Sequence, residues 1–326
     1  MTLIDAHIHC GHNDPDLFAL LAELDLKFLN ICVAHDSHGG WRDQADAYGQ
    51  LAQQRPDRFA WCTSFDLPRL EDPTYLDQVL AGLDQDFAAG AVACKIWKNI
   101  GMEVKAADGD FLMVDDPLLA PILEHIAGAG YTLLTHIAEP LACWQPLNEQ
   151  DPHYGYYSRN PQWHMYNKPE YPSHTRLMAA RDHMVANHPN LRVVGAHLGS
   201  LEYDTAEVAA RLDRYPNFAV DISARLADLA VQDSAKVRQF FIDYQDRILF
   251  GTDMVMHTPF AEMSAADKSA ALNRLRDTYA VHRAYLEGSG PVQVRSYQTE
   301  GLNLPADVLT KVYRTNAEQW YPQMSN

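Results

Sequence analysis

Two histidines one residue apart, His7 and His9 in Ile4-Asp5-Ala6-His7-Ile8-His9, stand within the first ten residues of the chain. A β-strand alternates its side chains, so this run predicts Asp5, His7 and His9 on one face. Ile4 and Ile8 are expected on the other face, in an apolar layer. Two imidazoles side by side chelate a borderline-soft divalent ion such as zinc. A His-x-His pair alone is common, and its weight here comes from later apolar runs. Leu133-Leu134-Thr135-His136, Gly195-Ala196-His197 and Phe250-Gly251-Thr252-Asp253 each end a strand-like segment in a side chain that can ligate a metal. If those ends meet on one rim, imidazoles and a carboxylate make a mixed nitrogen and oxygen set. It suits Zn²⁺, or Mn²⁺, Fe²⁺ or Co²⁺. A coordination position left to water would make the site catalytic rather than structural.

The elements that must position these residues are short apolar runs alternating with amphipathic stretches. Strands are expected at Leu3–His9, Lys27–Ala34, Arg58–Ser64, Ala91–Trp97, Tyr131–His136, Leu191–His197, Asn217–Ile222 and Arg247–Asp253. Helical patterns follow at Trp41–Arg55, Thr74–Ala89, Pro117–Ala129, Asp204–Tyr215 and Ser234–Tyr244. Gly90, Gly130, Pro189 and Pro216 stand where helices should stop. This alternation predicts an α/β fold, a distorted (β/α)8 TIM barrel forming one domain over residues 1–326, with chemistry at the C-terminal strand ends. No strand is followed by the Gly-x-Gly-x-x-Gly turn of a dinucleotide fold.

Two connections exceed what a barrel needs. Residues 137–173, after strand five, carry Trp144, Tyr154, Tyr156, Tyr157, Arg159 and Trp163. That mixture reads as a lid stacking on a planar or sugar-like substrate, or as a subunit interface in a homodimer. Residues 254–304, after strand eight, hold a helix near Ala265–Leu286 and then a Gly/Pro/Gln-rich tail.

The net charge of −17 argues against nucleic acid and anionic membrane as partners and leaves a small molecule. No apolar run is long enough to span a bilayer. The His-x-His strand starts almost at Met1, leaving no room for a secretory signal. The cysteines Cys10, Cys32, Cys62, Cys94 and Cys143 are widely spaced and form no Cys-x-x-Cys pair. A reduced, cytoplasmic protein is expected.

Taken in order, Ile4-Asp5-Ala6-His7-Ile8-His9, Thr135-His136, Gly195-Ala196-His197-Leu198-Gly199, Val220-Asp221-Ile222-Ser223, Leu249-Phe250-Gly251-Thr252-Asp253 and Val312-Tyr313-Arg314-Thr315-Asn316-Ala317 resemble the amidohydrolase superfamily. The likeness is to its amidohydrolase-related branch, with aminocarboxymuconate-semialdehyde decarboxylase-like members. The resemblance implies a distorted TIM barrel with one divalent metal, often zinc, held by His7, His9, His136 and Asp253. His197 would then be an acid/base or orienting residue, or the ligand of a second metal. In other branches a strand-four lysine is carbamylated and bridges two metals. Here Lys95 is read as a barrel-lining cation that pairs with carboxylates or a substrate anion, so a mononuclear site is expected.

At such a site Asp253 takes the proton of an activated water, and His197 polarises a carbonyl or stabilises an oxyanion. The sum is hydrolysis of a small, carboxylated ester, lactone or amide. The alternative is decarboxylation of an unsaturated or aromatic acid, with Arg225 or Arg159 gripping its carboxylate. Lys95, Tyr156 and Trp163 complete the expected substrate contacts, and Glu139 is expected to orient a ligand histidine. A barrel that only binds metal or ligand is disfavoured, because all the candidate ligands and His197 are present.

Overall fold

The structure, a computed structural model, describes residues 1–35, 40–69, 72–256 and 258–325. Eight parallel strands follow one another around a single sheet in chain order. They are β1 (Leu3–Cys10), β2 (Leu26–Ile31), β3 (Phe59–Thr63), β4 (Ala91–Ile96), β5 (Thr132–Thr135), β6 (Arg192–Gly195), β7 (Phe218–Asp221) and β8 (Ile248–Leu249). A two-residue strand, β9 (Val255–Met256), pairs with the outer half of β1. β8 is short in the ladder, but the chain beyond it closes the barrel. Ala6 N–H donates to Phe250 O at 2.9 Å, Asp253 N–H to His7 O at 2.7 Å and His9 N–H to Met254 O at 2.9 Å.

Between the strands lie α1 (Pro15–Leu24), α2 (Arg42–Gln54), α3 (Tyr75–Ala88), α4 (Ala120–Gly128), α5 (His174–Asn187), α6 (Thr205–Arg214) and α7 (Ser234–Asp243). α8 (Ala265–Glu287) follows the barrel. Several starts are written in the sequence as caps. Asp14, Ser173, Asp204, Asp233 and Ser264 each accept from a backbone N–H of the first turn. Each such cap contributes about 1 kcal/mol and fixes where a long connection ends.

The core has two layers. The barrel interior gathers Ile4, Ala6, Leu29, Ile31, Leu134, Val194, Ala219 and Leu249, and Trp320, Tyr321 and Met324 of the C-terminal segment pack with it. The layer between strands and helices takes Leu3, Ile8 and Cys10 from the same first strand. Ile4 and Ile8 therefore face opposite layers, contrary to the alternation expected. The cause is a register shift between Asp5 and Ile8 in the β1–β2 ladder, a bulge that reverses parity. Asp5 is thereby separated from His7 and His9. It is buried against Thr252 and Tyr279, whose hydroxyls each donate to Oδ2 at 2.6 Å. Burial raises its pKa to about 6 in spite of these bonds.

The tail after α8 departs from expectation as well. It folds into an antiparallel hairpin, β10 (Pro291–Val294) with β11 (Tyr297–Glu300), in register Val292 to Thr299 and Val294 to Tyr297. Its two-residue turn holds Arg295 in the left-handed region at φ 52°. Among the described residues no helix is long and apolar enough to cross a membrane.

Candidate metal centre and active-site cavity

The C-terminal strand ends converge as a parallel barrel requires, and the backbone there is strained. Ala138, His197, Leu198, Ala224 and Asp253, which follow β5 to β8, all have φ between 56° and 68°. Left-handed non-glycine residues cost roughly 1–3 kcal/mol each and persist where the surroundings dictate them. Gly251 shows how tight the rim is. A Cβ there would lie 3.0 Å from the Cβ of His7 and 3.1 Å from that of Ser223.

Asp253 is the centre of the constellation. Its Oδ1 lies 3.2 Å from His9 Nε2 and 3.6 Å from His7 Nε2, and its Oδ2 lies 3.9 Å from His197 Nε2. Burial opposes its charge, but the hydrogen bond from His9 and the surrounding imidazoles hold the carboxyl well below the usual range. His136 sits edge-on to His197, with ring centroids 4.3 Å apart. Its Nε2 is buried without a protein partner, and burial keeps the ring neutral.

The other ring nitrogens show how these histidines are aimed. Asp221, held at about pKa 2 by His7 and hydrogen bonds against the effect of burial, accepts from His7 Nδ1–H at 2.9 Å. His7 Nε2 therefore keeps a lone pair directed at the centre. His197 Nδ1 lies 2.8 Å from Ser223 O, a pure acceptor, so Nδ1 carries the proton and Nε2 is bare. With burial and Arg225 lowering its pKa to about 3, His197 is a base or ligand, and it can donate to an oxyanion only after gaining a proton.

His7, His9 and Asp253 offer ligand atoms within 4.8 Å of one another. A second such group, His7, His197 and Asp221, is already consumed by internal hydrogen bonds, so we read it as the support of the first. The chemistry of the first set fits a divalent ion, with imidazole nitrogens and one carboxylate; His136, beside His197, lies outside that close group of three, and its orphaned Nε2 would be the fourth donor. Lys95 is 98% buried beneath this set, its Nζ 3.1 Å from His7 Nε2. Burial lowers its pKa, with Asp253 opposing. It faces the ligands rather than the cavity.

A cavity of about 490 Å³ opens above the centre, lined by His136, His197 and Asp253 below and by Arg225, Arg159 and Tyr156 around it. Lys98, Glu139, His153, Tyr157 and Arg295 also border it. Arg225 is buried and its Nε has no protein partner, while burial is outweighed by Asp228 and Glu202, which raise its pKa. Trp163 does not line the cavity; it lies 4.5 Å under the Lys98 ammonium. Glu139 orients no histidine. It pairs with Lys98 and accepts from Tyr157 Oη at 3.0 Å, which ties residues 137–173 to the rim. His153 Nε2 on Asp228 at 2.8 Å makes a second tie. Asp221, Lys98 and Arg295 were not assigned roles from the sequence. Asp221 stood in a recognisable motif, but Arg295 had only the Val292/Val294 and Tyr297/Thr299 alternation to announce its turn.

The amidohydrolase family profile matches residues 4–323. No curated protein matches the sequence. Among solved structures, a 2,6-dihydroxybenzoate decarboxylase from Rhizobium is similar at TM-score 0.55 and 17% identity, covering 99% of each chain. A dihydroxybenzoic acid decarboxylase from a Polaromonas species, with bound manganese and 2-nitroresorcinol, has TM-score 0.54 and 13% identity over 95% of this chain and 86% of its own. A 4-oxalomesaconate hydratase from Rhodopseudomonas palustris has TM-score 0.53 and 13% identity over 99% and 97%. At these identities the likeness is one of fold. The profile match over nearly the whole length carries the assignment further: the chain belongs to the amidohydrolase family.

Proposed function

We propose that the protein is a metal-dependent hydrolase of a small ester, lactone or amide that carries a carboxylate. The observation that carries the reading is Asp253, an anion set among His7, His9 and His197 with 26% of its side chain open to an arginine-lined cavity. His7, His9, His136 and Asp253 would hold the ion, zinc by expectation with manganese, iron or cobalt as alternatives. When bound, it supplies a Lewis acid and a more acidic water at neutral pH.

The chain's own residues supply the rest. Arg225 and Arg159 grip the substrate carboxylate and orient the carbonyl over Asp253. The Asp253 anion accepts a proton of the attacking water as its oxygen bonds to the carbonyl carbon. The carbon–oxygen or carbon–nitrogen bond then breaks, and the proton passes to the leaving atom. His197 Nε2 is a second acceptor on that path. Tyr156 and the tethered insertion exclude bulk water. The enzyme is read as cytoplasmic and acting on a small molecule, supported by five cysteines that are all buried and unpaired.

Decarboxylation is the second reading; there the carboxylate held by Arg225 and Arg159 on the cavity wall would itself leave as CO2. A panel of carboxylated esters, lactones and amides beside unsaturated and aromatic acids separates them. Hydrolysis predicts turnover of the first set with no release of CO2. Release of CO2 from the second set alone would replace the reading.

A further inference from the structure

Residues 137–173 are fastened to the barrel by two carboxylates that also act on Arg225. Glu202, between β6 and α6, accepts the backbone N–H of Leu141 through Oε1 at 2.9 Å. Asp228, in the short helix Leu226–Ala230 after β7, accepts from His153 Nε2–H through Oδ1 at 2.8 Å. Gln232 braces the pair, its Nε2 donating to Glu202 O at 2.8 Å and to Asp228 O at 3.0 Å. Glu202, Asp228 and Arg225 are all buried. Two carboxylates thus act on one guanidinium cation. The second oxygen of each, Glu202 Oε2 and Asp228 Oδ2, meets no donor among the described residues. Buried negative charge in excess is costly, and a single proton removes it. Burial pushes the Glu202 carboxyl up to about 7; Arg225 and His153 oppose the rise, and Asp228 adds to it. Tyr203 also senses Glu202, and Tyr157 and Asp253 act on Arg225.

We propose that Glu202 and Asp228 are positioning residues that make docking of the insertion and the setting of Arg225 one event, accompanied by uptake of one proton. The docked insertion buries Glu202 together with that proton. When Leu141 and His153 let go, water reaches the carboxylate and the proton leaves. Docking is therefore fully favoured at low pH and weakens as the pH rises from an exposed glutamate's ~4.3 towards that of the docked group. Above it both forms are ionised and no further change follows. The assignment rests on the preceding reading only in giving Arg225 a substrate carboxylate. The coupling between insertion and Arg225 stands apart from turnover.

Hydrogen exchange at the Leu141 amide follows release of the tie, resolved by NMR on metal-loaded protein between pH 5.5 and 8.5 with metal content checked at each pH. The wild-type rate is divided by that of Glu202→Gln, whose amide oxygen still accepts from Leu141. This cancels the intrinsic pH dependence of exchange; an unstructured peptide spanning Leu141 is the reference should Glu202→Gln fail to fold. The ratio should rise about tenfold from pH 5.5 to 7 and then level off. Two charge variants should move that step in opposite directions. Asp228→Asn, which can still accept from His153, shifts it to lower pH by removing the like charge. Arg225→Met shifts it to higher pH by removing the opposing cation. Carboxylates with a merely structural role would weaken docking in each variant without moving the step. A ratio that stays within twofold over the whole range, or a step that neither charge variant moves, overturns the proposal. If no ester, lactone or amide reacts while the step and its two shifts are present, the hydrolase reading fails and the coupling stands.

Discussion

Replacing Asp221 by Asn separates the role of a carboxylate that touches no substrate from that of the ligands it serves. Asp221 Oδ1 accepts the backbone N–H groups of His197 at 2.8 Å and Ser223 at 3.1 Å, and the Ser223 hydroxyl as well. Those donors force the amide oxygen of an asparagine into the same position. Its NH2 group must then face His7 Nδ1, where Oδ2 now accepts at 2.9 Å. Two donors cannot meet, so His7 shifts its proton to Nε2. The lone pair directed at the centre is then lost. Changes of this kind reduce metal affinity about 10- to 100-fold, which is ~1.4–2.8 kcal/mol. Competition against a chromophoric chelator at neutral pH measures it directly. Ser223→Ala is the control, because it removes a donor to Asp221 and the hydroxyl contacts to His7 and His197 Nδ1 but leaves the Asp221–His7 bond in place. Asp221→Asn with wild-type affinity, within twofold, would refute the tautomer argument.

Two further expectations follow from the same geometry. Arg225→Met removes a charged donor from the cavity wall and should raise KM for a carboxylated substrate about 10- to 100-fold, in keeping with the loss of ~1.5–3 kcal/mol for a charge-assisted bond. It also leaves Asp228 and Glu202 without their cation, so Arg225→Lys should recover stability more than KM; equal KM in all forms would show that Arg225 meets no substrate. His174, buried with Nε2 2.8 Å from Ser200 O, has its pKa lowered to about 4, chiefly by burial. Below pH 6.5 the unfolded chain takes up a proton there that the folded chain refuses, so stability present above that pH is lost as it falls to 4. Relative to His174→Gln, which can still donate to Ser200 O, the wild type should lose up to about 3 kcal/mol across that window. Parallel denaturation curves at both ends of the window would contradict the assignment.

Much of this architecture is legible in the sequence for a physical reason. Parallel strands buried on both faces read as continuous apolar runs, and a histidine or aspartate that ends such a run lies on the rim. So His7, His9, His136, His197 and Asp253, the first and last 246 positions apart, are brought to one rim by strand ends alone. What escaped depended on contacts that no local pattern encodes. The bulge in β1 reverses parity after Asp5 and gives that residue to Thr252 and Tyr279. Asp221 meets His7 across 214 residues, while Glu139, nearer the rim in sequence, is taken by Lys98 and Tyr157. Aromatic content marked the insertion but did not rank its members: Tyr156 reaches the cavity, and Trp163 lies beneath Lys98. The hairpin carrying Arg295 has no glycine or asparagine at its turn, so the usual sign of a two-residue loop is missing.

Metal content per chain, by elemental analysis of protein purified without added metal, tests the central claim most directly. Wild type, Asp253→Asn, the double variant His7→Ala with His9→Ala, and Lys95→Met should be compared. The account predicts about one equivalent of a divalent transition metal in the wild type. The same value is expected in Lys95→Met, because Lys95 is not counted among the ligands of a mononuclear site, and a sharp fall in the other two. About two equivalents, dropping to one in Lys95→Met, would mean a bridged pair of ions. No metal even after reconstitution, or full content in the double variant, would contradict the metal centre itself.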